Sequence, residues 1–350
     1  LVNLYDLEYA YGRTYLPQLP ATLHHAASLG AERFFPATGQ PLKDGPSQAL
    51  ELAGAIEDYQ KALEWRSDAF KPMESPQPAT LGRWYHHGPG MYQLSNFGNT
   101  IVLIDDQGRG LMIDPGPCDF GDDGRGNRFR KDLDLLHRHA GLKEIDHVLI
   151  THFHGDHLDM THALRQWYPH LRVATWEVLA QVIANPTQYP YACMLPWYNL
   201  PGPQEVKTDL PVKLGSIHYW HDIAIETIHL PGHCFVHAGF LLTFRGQKLA
   251  ITGDTIVDRE LPAGLDYIIA NDSVPDEHRG QLKGLRLLAS RDIDMNLGGH
   301  SSHFYHPRDH YLETIRRIEH AQPMLRRLIP QGDLHAAFHR PWFPLWEGRV

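Results

Sequence analysis

The sequence predicts a mixed α/β protein, with two sheets packed face to face, helices on their outer faces and a helical segment in front. Three observations lead there. From Trp84 the texture is β, with three consecutive strand-like runs. Strands then alternate with helices, and this order occurs twice along the chain. Several strands also end at glycine-containing turns that carry a histidine or an aspartate. At 350 residues the chain has room for one large domain, or one domain and an extension, around a sizeable core.

Residues 1–80 read as a helical extension, and residues 81–350 as the main domain. Ala21 to Leu29 and Ser47 to Trp65 are rich in Ala, Leu, Glu and Gln. In the second, Leu50, Ala53, Ile56 and Leu63 keep roughly helical spacing. Between them RFFPATGQPL is a short apolar piece ending in a turn, and KPMESPQPAT afterwards has the composition of a linker. MYQLSN, TIVLIDD and GRGLMIDPG are strand-like runs broken by Gly and Asp-Gln-Gly turns. A helix follows at Lys131 to His139, and the apolar, β-branched run from His147 to Thr151 is a buried strand. Next come a helix over Thr161 to Tyr168 and the strand LRVAT. Residues 185–211 hold six prolines with Tyr189, Tyr191, Trp197 and Tyr198, and read as an irregular loop or lid. Strands resume at IAIETIHL, AGFLLTF and KLAITGD. A helix at Gln281 to Leu288, the strand IDMNLGGH and a long helix from Asp309 to Leu328 close the domain.

One internal similarity bears on the extension. HHAASLG, RFFPATG, Pro46 and the helix through Ile56 run parallel to LRLLAS, DMNLGGH, Pro307 and the helix through Ile315. Residues 1–80 then read either as the last quarter of a degenerate duplicated unit or as an ordinary helical extension. The position facing His300 is Thr38 or Gly39, so that copy lacks the histidine.

Composition narrows the class. Net charge is −9 with neutral His, which counts against a nucleic-acid partner. No apolar run is long enough to span a bilayer, so no membrane partner is expected. Cys118, Cys193 and Cys234 are scattered and form neither a metal motif nor a disulfide framework. A reducing, cytoplasmic location is expected. The chain shows no signal peptide, and its start at Leu1 leaves room for a removed targeting segment.

The chemistry concentrates in His152-Phe153-His154-Gly155-Asp156-His157, directly after a hydrophobic strand. Imidazole and carboxylate are ligands for zinc, iron or manganese. Adjacent loop residues cannot all converge on one ion, so further ligands must come from distant strand ends. His233 in HLPGHC, Asp254 in AITGDT and His300 in MNLGGH occupy such ends. Asp114, closing LMID, sits in the same kind of place and suits a role in orienting the cradle loop.

In this order, IDPG, THFHGDH, PGHC, TGDT and GGH resemble the five signature motifs of the metallo-β-lactamase superfamily, over about residues 84–330. The resemblance implies a four-layer αββα sandwich with metals at one edge. It implies His152, His154 and His233 as ligands of a first metal, Asp156, His157 and His300 as ligands of a second, and Asp254 as the bridge. Two Zn2+, with iron or manganese as alternatives, would lower the pKa of a bound water from 15.7 to roughly 7 and supply a hydroxide. Asp156 would accept its proton, making Asp156 and Asp254 the catalytic carboxylates.

Asp254 stands where the commonest zinc β-lactamases carry cysteine, so the ligand set is closer to glyoxalase II and lactonases. The expected activity is hydrolysis of an ester-type bond, a thioester or lactone, in a small-molecule substrate. Persulfide dioxygenases keep HxHxDH with a single iron, and they stand as the alternative on the same fold. β-Lactamase and phosphodiesterase activities come after these, and a non-catalytic role comes last because the ligand set is intact. Flavodiiron proteins carry Glu where this chain has His154.

Tyr305 and His303 follow His300 closely and are candidates for substrate contact, Tyr305 as a hydrogen-bond donor to a developing oxyanion; loop packing is the alternative. His237 is expected to pack or bond locally, His86 and His87 to lie at the surface, and Cys234 to be a buried neighbour of the site. Trp197 and Tyr198 would either wall an apolar pocket or pack on themselves. His162, His170, His218, His221 and His229 read as structural. The N-terminal extension could serve assembly of a homo-oligomer.

Overall fold

The computed structural model describes residues 18–30, 44–68, 77–94, 98–116, 126–189, 205–255, 280–300 and 303–328. It opens on two helices, α1 (Leu19–Ser28) and α2 (Gly45–Glu64). Asp44 caps α2 by accepting from the Ser47 N–H at 3.4 Å, and Pro46 lies in the first turn, where a missing N–H costs nothing.

The first sheet follows. β1 (Ala79–Leu81), β2 (Trp84–Gly88), β3 (Met91–Leu94), β4 (Thr100–Ile104) and β5 (Arg109–Ile113) form an antiparallel meander. β6 (Glu144–Leu149), β7 (Arg172–Trp176) and β8 (Leu210–Val212) extend it in parallel. Parallel neighbours need crossovers. These are α3 (Asn127–His139), then α4 (Gly155–Leu158) with α5 (Thr161–Trp167), then α6 (Glu177–Ala184).

The second sheet holds β9 (Ile217–Trp220), β10 (Ile223–His229), β11 (Ala238–Phe244), β12 (Gln247–Gly253), β13 (Met295–Gly298) and β14 (His303–Tyr305). Only the β12–β13 pair is parallel among them, and its crossover contains α7 (Gln281–Ala289). α8 (Arg308–Leu328) ends the described chain.

Alternation along the strands builds three apolar layers. Ile101 and Leu103 of β4 face Phe240, Leu242, Leu249 and Ile251 of the second sheet, forming the core between the sheets. Val102 and Ile104 point the other way, onto Phe129 and Leu133 of α3 and Val178 and Val182 of α6. Behind the second sheet, Ile228 and Ala250 meet Leu282 and Leu285 of α7 and Tyr311 and Ile318 of α8. The order is therefore helix, sheet, sheet, helix.

β1, β2, α4, α6, β8, β9 and β14 go beyond the elements read from the sequence. Each is short, and β2 (WYHHG) carries too many polar rings to show strand patterning. The last residues of the expected linker belong to β1. Within 185–211, Pro186–Gln188 form a single 3-10 turn and β8 lies at the end. Tyr189 joins the outer core, whereas Tyr191, Trp197 and Tyr198 lie outside the described residues. RFFPATGQPL with Thr38 and Gly39, and Cys118 and Cys193, also lie outside them. No described helix is long and apolar enough to cross a membrane.

α2 packs against both α1 and α8. Its buried hydrophobic residues are Ala49, Ala53, Ala55, Ile56, Tyr59 and Ala62, while Leu50, expected in the apolar stripe, is exposed. The seam to α8 also has polar ties. The Ser67 N–H and hydroxyl donate to the Glu313 carboxylate, Arg327 pairs with Asp58 at 2.7 Å, and Trp65 stacks on His320 at 4.3 Å. Deleting residues 1–76 would uncover the facing side of α8 and forfeit the burial of Ile56 and Tyr59, each worth about 1.5–3 kcal/mol. The truncated chain should be insoluble, or should melt well below the full chain. A soluble truncation with an unchanged melting temperature would show that the extension does not support the fold.

Candidate metal centre

The site grows from the carboxyl ends of β5, β6, β10, β12 and β13. Asp114 follows β5 with φ at +52°, a left-handed backbone unusual outside glycine. Its carboxylate accepts from the Thr151 N–H at 2.8 Å, the Thr151 hydroxyl at 2.7 Å and His157 Nδ1 at 3.0 Å. Burial pushes the Asp114 carboxyl up, against the pull of these donors. Asp114 thus sits against the cradle loop, bonded to Thr151 and His157.

These bonds set tautomers. Thr151 Oγ has given its hydrogen to Asp114, so it accepts from His152 Nδ1 at 3.0 Å. His152 and His157 therefore both carry hydrogen on Nδ1 and turn Nε2 inward, toward Asp254. Both Nε2 atoms are buried without a hydrogen-bond partner.

His154 Nδ1 and His233 Nε2 approach to 2.8 Å from two separate loops. Asp254 lies among the imidazoles. Its Oδ2 is 3.0 Å from His300 Nε2, 3.3 Å from His233 Nε2 and 3.8 Å from His152 Nε2, and its Oδ1 is 3.3 Å from His157 Nε2. Asp156 Oδ2 is 3.4 Å from His300 Nε2 and 3.5 Å from His157 Nε2.

Two donor groups result, one of His152, His154, His233 and Asp254 and the other of Asp156, His157 and His300. Within each, the donor atoms lie within 4.8 Å of one another, and Asp254 touches both groups. All seven residues anticipated from the motifs are brought together. His300 is the one member that is not fully buried, which marks the open side of the cleft.

Electrostatics agree with a cation-accepting cradle. Burial lowers His154 to about 4 and His233 to about 3, leaving both neutral at pH 7. Burial also opposes charge on His157 and His300, yet Asp254 and Asp156 outweigh it and raise His300 to about 10. Both carboxyls fall below the ordinary range, because charge on His157 overcomes their desolvation. The two acids draw positive charge into a buried space. Orphaned Nε2 atoms and a carboxylate between two imidazole sets suit divalent cations of borderline softness, each replacing protons.

A polar strap fixes the turn bearing His300. Gln93 Nε2 and Asn99 Nδ2 each donate to the Gly298 carbonyl at 3.1 Å, and the Asn99 N–H donates to Gly299 O at 2.6 Å. A Cβ on Gly299 would lie 2.1 Å from Asp254 Oδ1, so this approach requires glycine. Gln93 and Asn99 were not among the expected site residues. Their available signal was polarity inside apolar strand runs, MYQLSN and NTIVLI.

Two expectations are corrected. His87 is buried, not superficial; its Nε2 lies 2.9 Å from Gln93 Oε1, and burial holds it at about 4. His237 does more than pack locally, since its Nε2 accepts from the Asp254 N–H at 3.2 Å. The Tyr305 hydroxyl is 3.4 Å from His87 Nδ1, and the His303 ring packs 4.8 Å from His87 and 5.7 Å from Tyr85. Neither Tyr305 nor His303 belongs to the two donor groups. Cys234 is buried, with its thiol directed to Val236 O.

A twisted pair of sheets presenting His and Asp at one edge is the architecture of a metallo-β-lactamase fold. Residues 95–300 match the profile of the metallo-β-lactamase superfamily, and the chain belongs to that superfamily. It is 28% identical over 213 residues to the lactamase-like protein notP of an Aspergillus species, covering 60% of this chain and 54% of that one. It is 26% identical over 159 residues to a hydroxyacylglutathione hydrolase of Aeromonas hydrophila, covering 45% of this chain and 46% of that one. The chain thus spans about half the length of the curated relatives it matches. Among solved structures, a mutant metallo-β-lactamase of Cronobacter sakazakii aligns at a TM-score of 0.49 and 17% identity, over 76% of this chain and 98% of that one.

Proposed function

We propose that this protein is a metal-dependent hydrolase that holds two zinc ions and cleaves an ester-type bond, a thioester or lactone, in a small-molecule substrate. The observation that carries this reading is the Asp254 carboxylate, within 3.0–3.8 Å of four imidazoles drawn from both donor groups. His152 Nε2, His154 Nδ1 and His233 Nε2 would hold one ion. Asp156, His157 and His300 would hold the other, with Asp254 shared. Such a pair of cations, when bound, supplies a water acidic enough to attack at neutral pH and polarises the substrate's oxygen.

The protein's own residues do the remainder. Asp156 stays ionised beside His157 and His300, and would take up the proton of the attacking water on the open side of the cleft. Asp114 and Thr151 keep His152 and His157 in the tautomers that leave Nε2 free. The similarity to a hydroxyacylglutathione hydrolase supports a thioester as the first substrate class to test. Carboxylate at position 254, in place of a thiolate, points the same way.

Metal analysis of the purified full chain, with a screen of thioesters, lactones, β-lactams and phosphodiesters, tests the reading. Two zinc per chain with thioester or lactone turnover is expected. A single iron with oxygen consumption would overturn it in favour of an oxygenase.

A further inference from the structure

His237 stands outside both donor groups, yet it touches the elements that carry them. Its ring is fully buried and lies against the His152 imidazole at 4.8 Å and 28°. Its backbone forms an antiparallel bridge with His152, with the Ala238 N–H donating to Thr151 O at 2.8 Å and the Leu230 N–H donating to His237 O at 3.1 Å. The same residue therefore ties the β6 cradle to the loop of His233.

The ring also wedges under the end of β12. Gly253 has φ at +47°, and a Cβ there would meet Thr151 Oγ1 at 2.6 Å and His237 Nε2 at 2.7 Å. The turn that launches Asp254 is thus moulded on the His237 ring. Accepting from the Asp254 N–H requires a lone pair on Nε2, so the ring hydrogen sits on Nδ1. That Nδ1 is buried and has no hydrogen-bond partner. An apolar side chain would avoid this half-satisfied imidazole but would orphan the Asp254 N–H instead.

We propose that His237 is a positioning residue for the dinuclear centre, anchoring Asp254 through its backbone so that the carboxylate stays between the two donor groups. The inference rests on the dinuclear reading given above. The first group has three imidazoles besides Asp254, whereas the second has Asp156, His157 and His300 at the open side. A loosened Asp254 therefore weakens the second ion before the first.

The two amides of His size separate acceptor position from bulk. In His237→Gln the carboxamide reaches the place of Nε2 and can accept the same N–H. In His237→Asn it occupies the place of Nδ1 and cannot reach it. Zinc binding to the metal-stripped full chain is measured by competition with a chromophoric chelator, alongside circular dichroism and a thermal melt. Wild type should bind two ions. His237→Asn should keep the first and lose roughly 10-fold or more in affinity for the second, with His237→Gln close to wild type. Two ions held by His237→Asn at wild-type affinity would overturn the inference, as would a His237→Gln protein as impaired as His237→Asn. Fewer than two ions on wild type would overturn the dinuclear reading itself.

Discussion

On the dinuclear reading, replacing Asp254 by alanine should leave a folded protein that has lost one of two metal ions and at least about 10³-fold in turnover, some 4 kcal/mol of transition-state stabilisation. The carboxylate is buried and reaches four imidazole nitrogens within 3.8 Å, so its removal takes a shared donor from both groups at once. The fold should persist because its side-chain partners are those imidazoles, while the β12 backbone pairing to β11 and β13 is untouched. Asp254→Asn is the sharper variant, since it keeps the shape and removes the charge that holds His300 at about 10. Metal stoichiometry, turnover and a far-ultraviolet spectrum are read together. Full activity in the Asn variant would mean that position 254 is not a bridging ligand.

What could be read from the sequence, and what could not, follows from how each residue reaches the site. His152, His154, Asp156 and His157 lie on one loop after one strand, so spacing alone discloses them. His233, Asp254 and His300 each end a strand at a glycine turn, and the layered fold brings those ends to one edge. The residues that steady the site are of another kind. His237 looks local in the chain, four residues past His233, but it acts through a long-range bridge to His152. Gln93 and Asn99 act across the gap between the sheets, on a carbonyl some 200 residues away, through a pairing that sequence periodicity does not specify. His87 belongs to the same group, because its burial depends on β14 lying over β2. Side chains that bear the chemistry are therefore legible from type and spacing, while those that hold them depend on tertiary register.

The metal-free protein should lose stability on both sides of a maximum near pH 6.5, and the acid side should be the steeper. Burial lowers His87 to about 4 and His229 to about 3, and lowers His218 as well with His147 adding to the effect. Each has a folded pKa below its unfolded value of 6.5, so the unfolded chain binds more protons as the pH falls. Their contribution is complete above 6.5 and is lost between 6.5 and the folded values. For His87 and His229 this amounts to roughly 3 kcal/mol each at pH 4, a large part of the about 5–15 kcal/mol typical of a whole domain. His300, raised to about 10, has the opposite sign. Its contribution is complete below 6.5 and is lost as the pH rises toward 10. Urea midpoints of the metal-free protein from pH 4.5 to 9 should trace this dome. His218, both of whose ring nitrogens are buried without partners, supplies the control. His218→Leu should make the acid limb shallower while leaving the alkaline one, because it removes one proton-binding difference without breaking a hydrogen bond. A midpoint that stays level from pH 7 to 5, or an acid limb unchanged in His218→Leu, would show that the buried histidines do not govern acid stability.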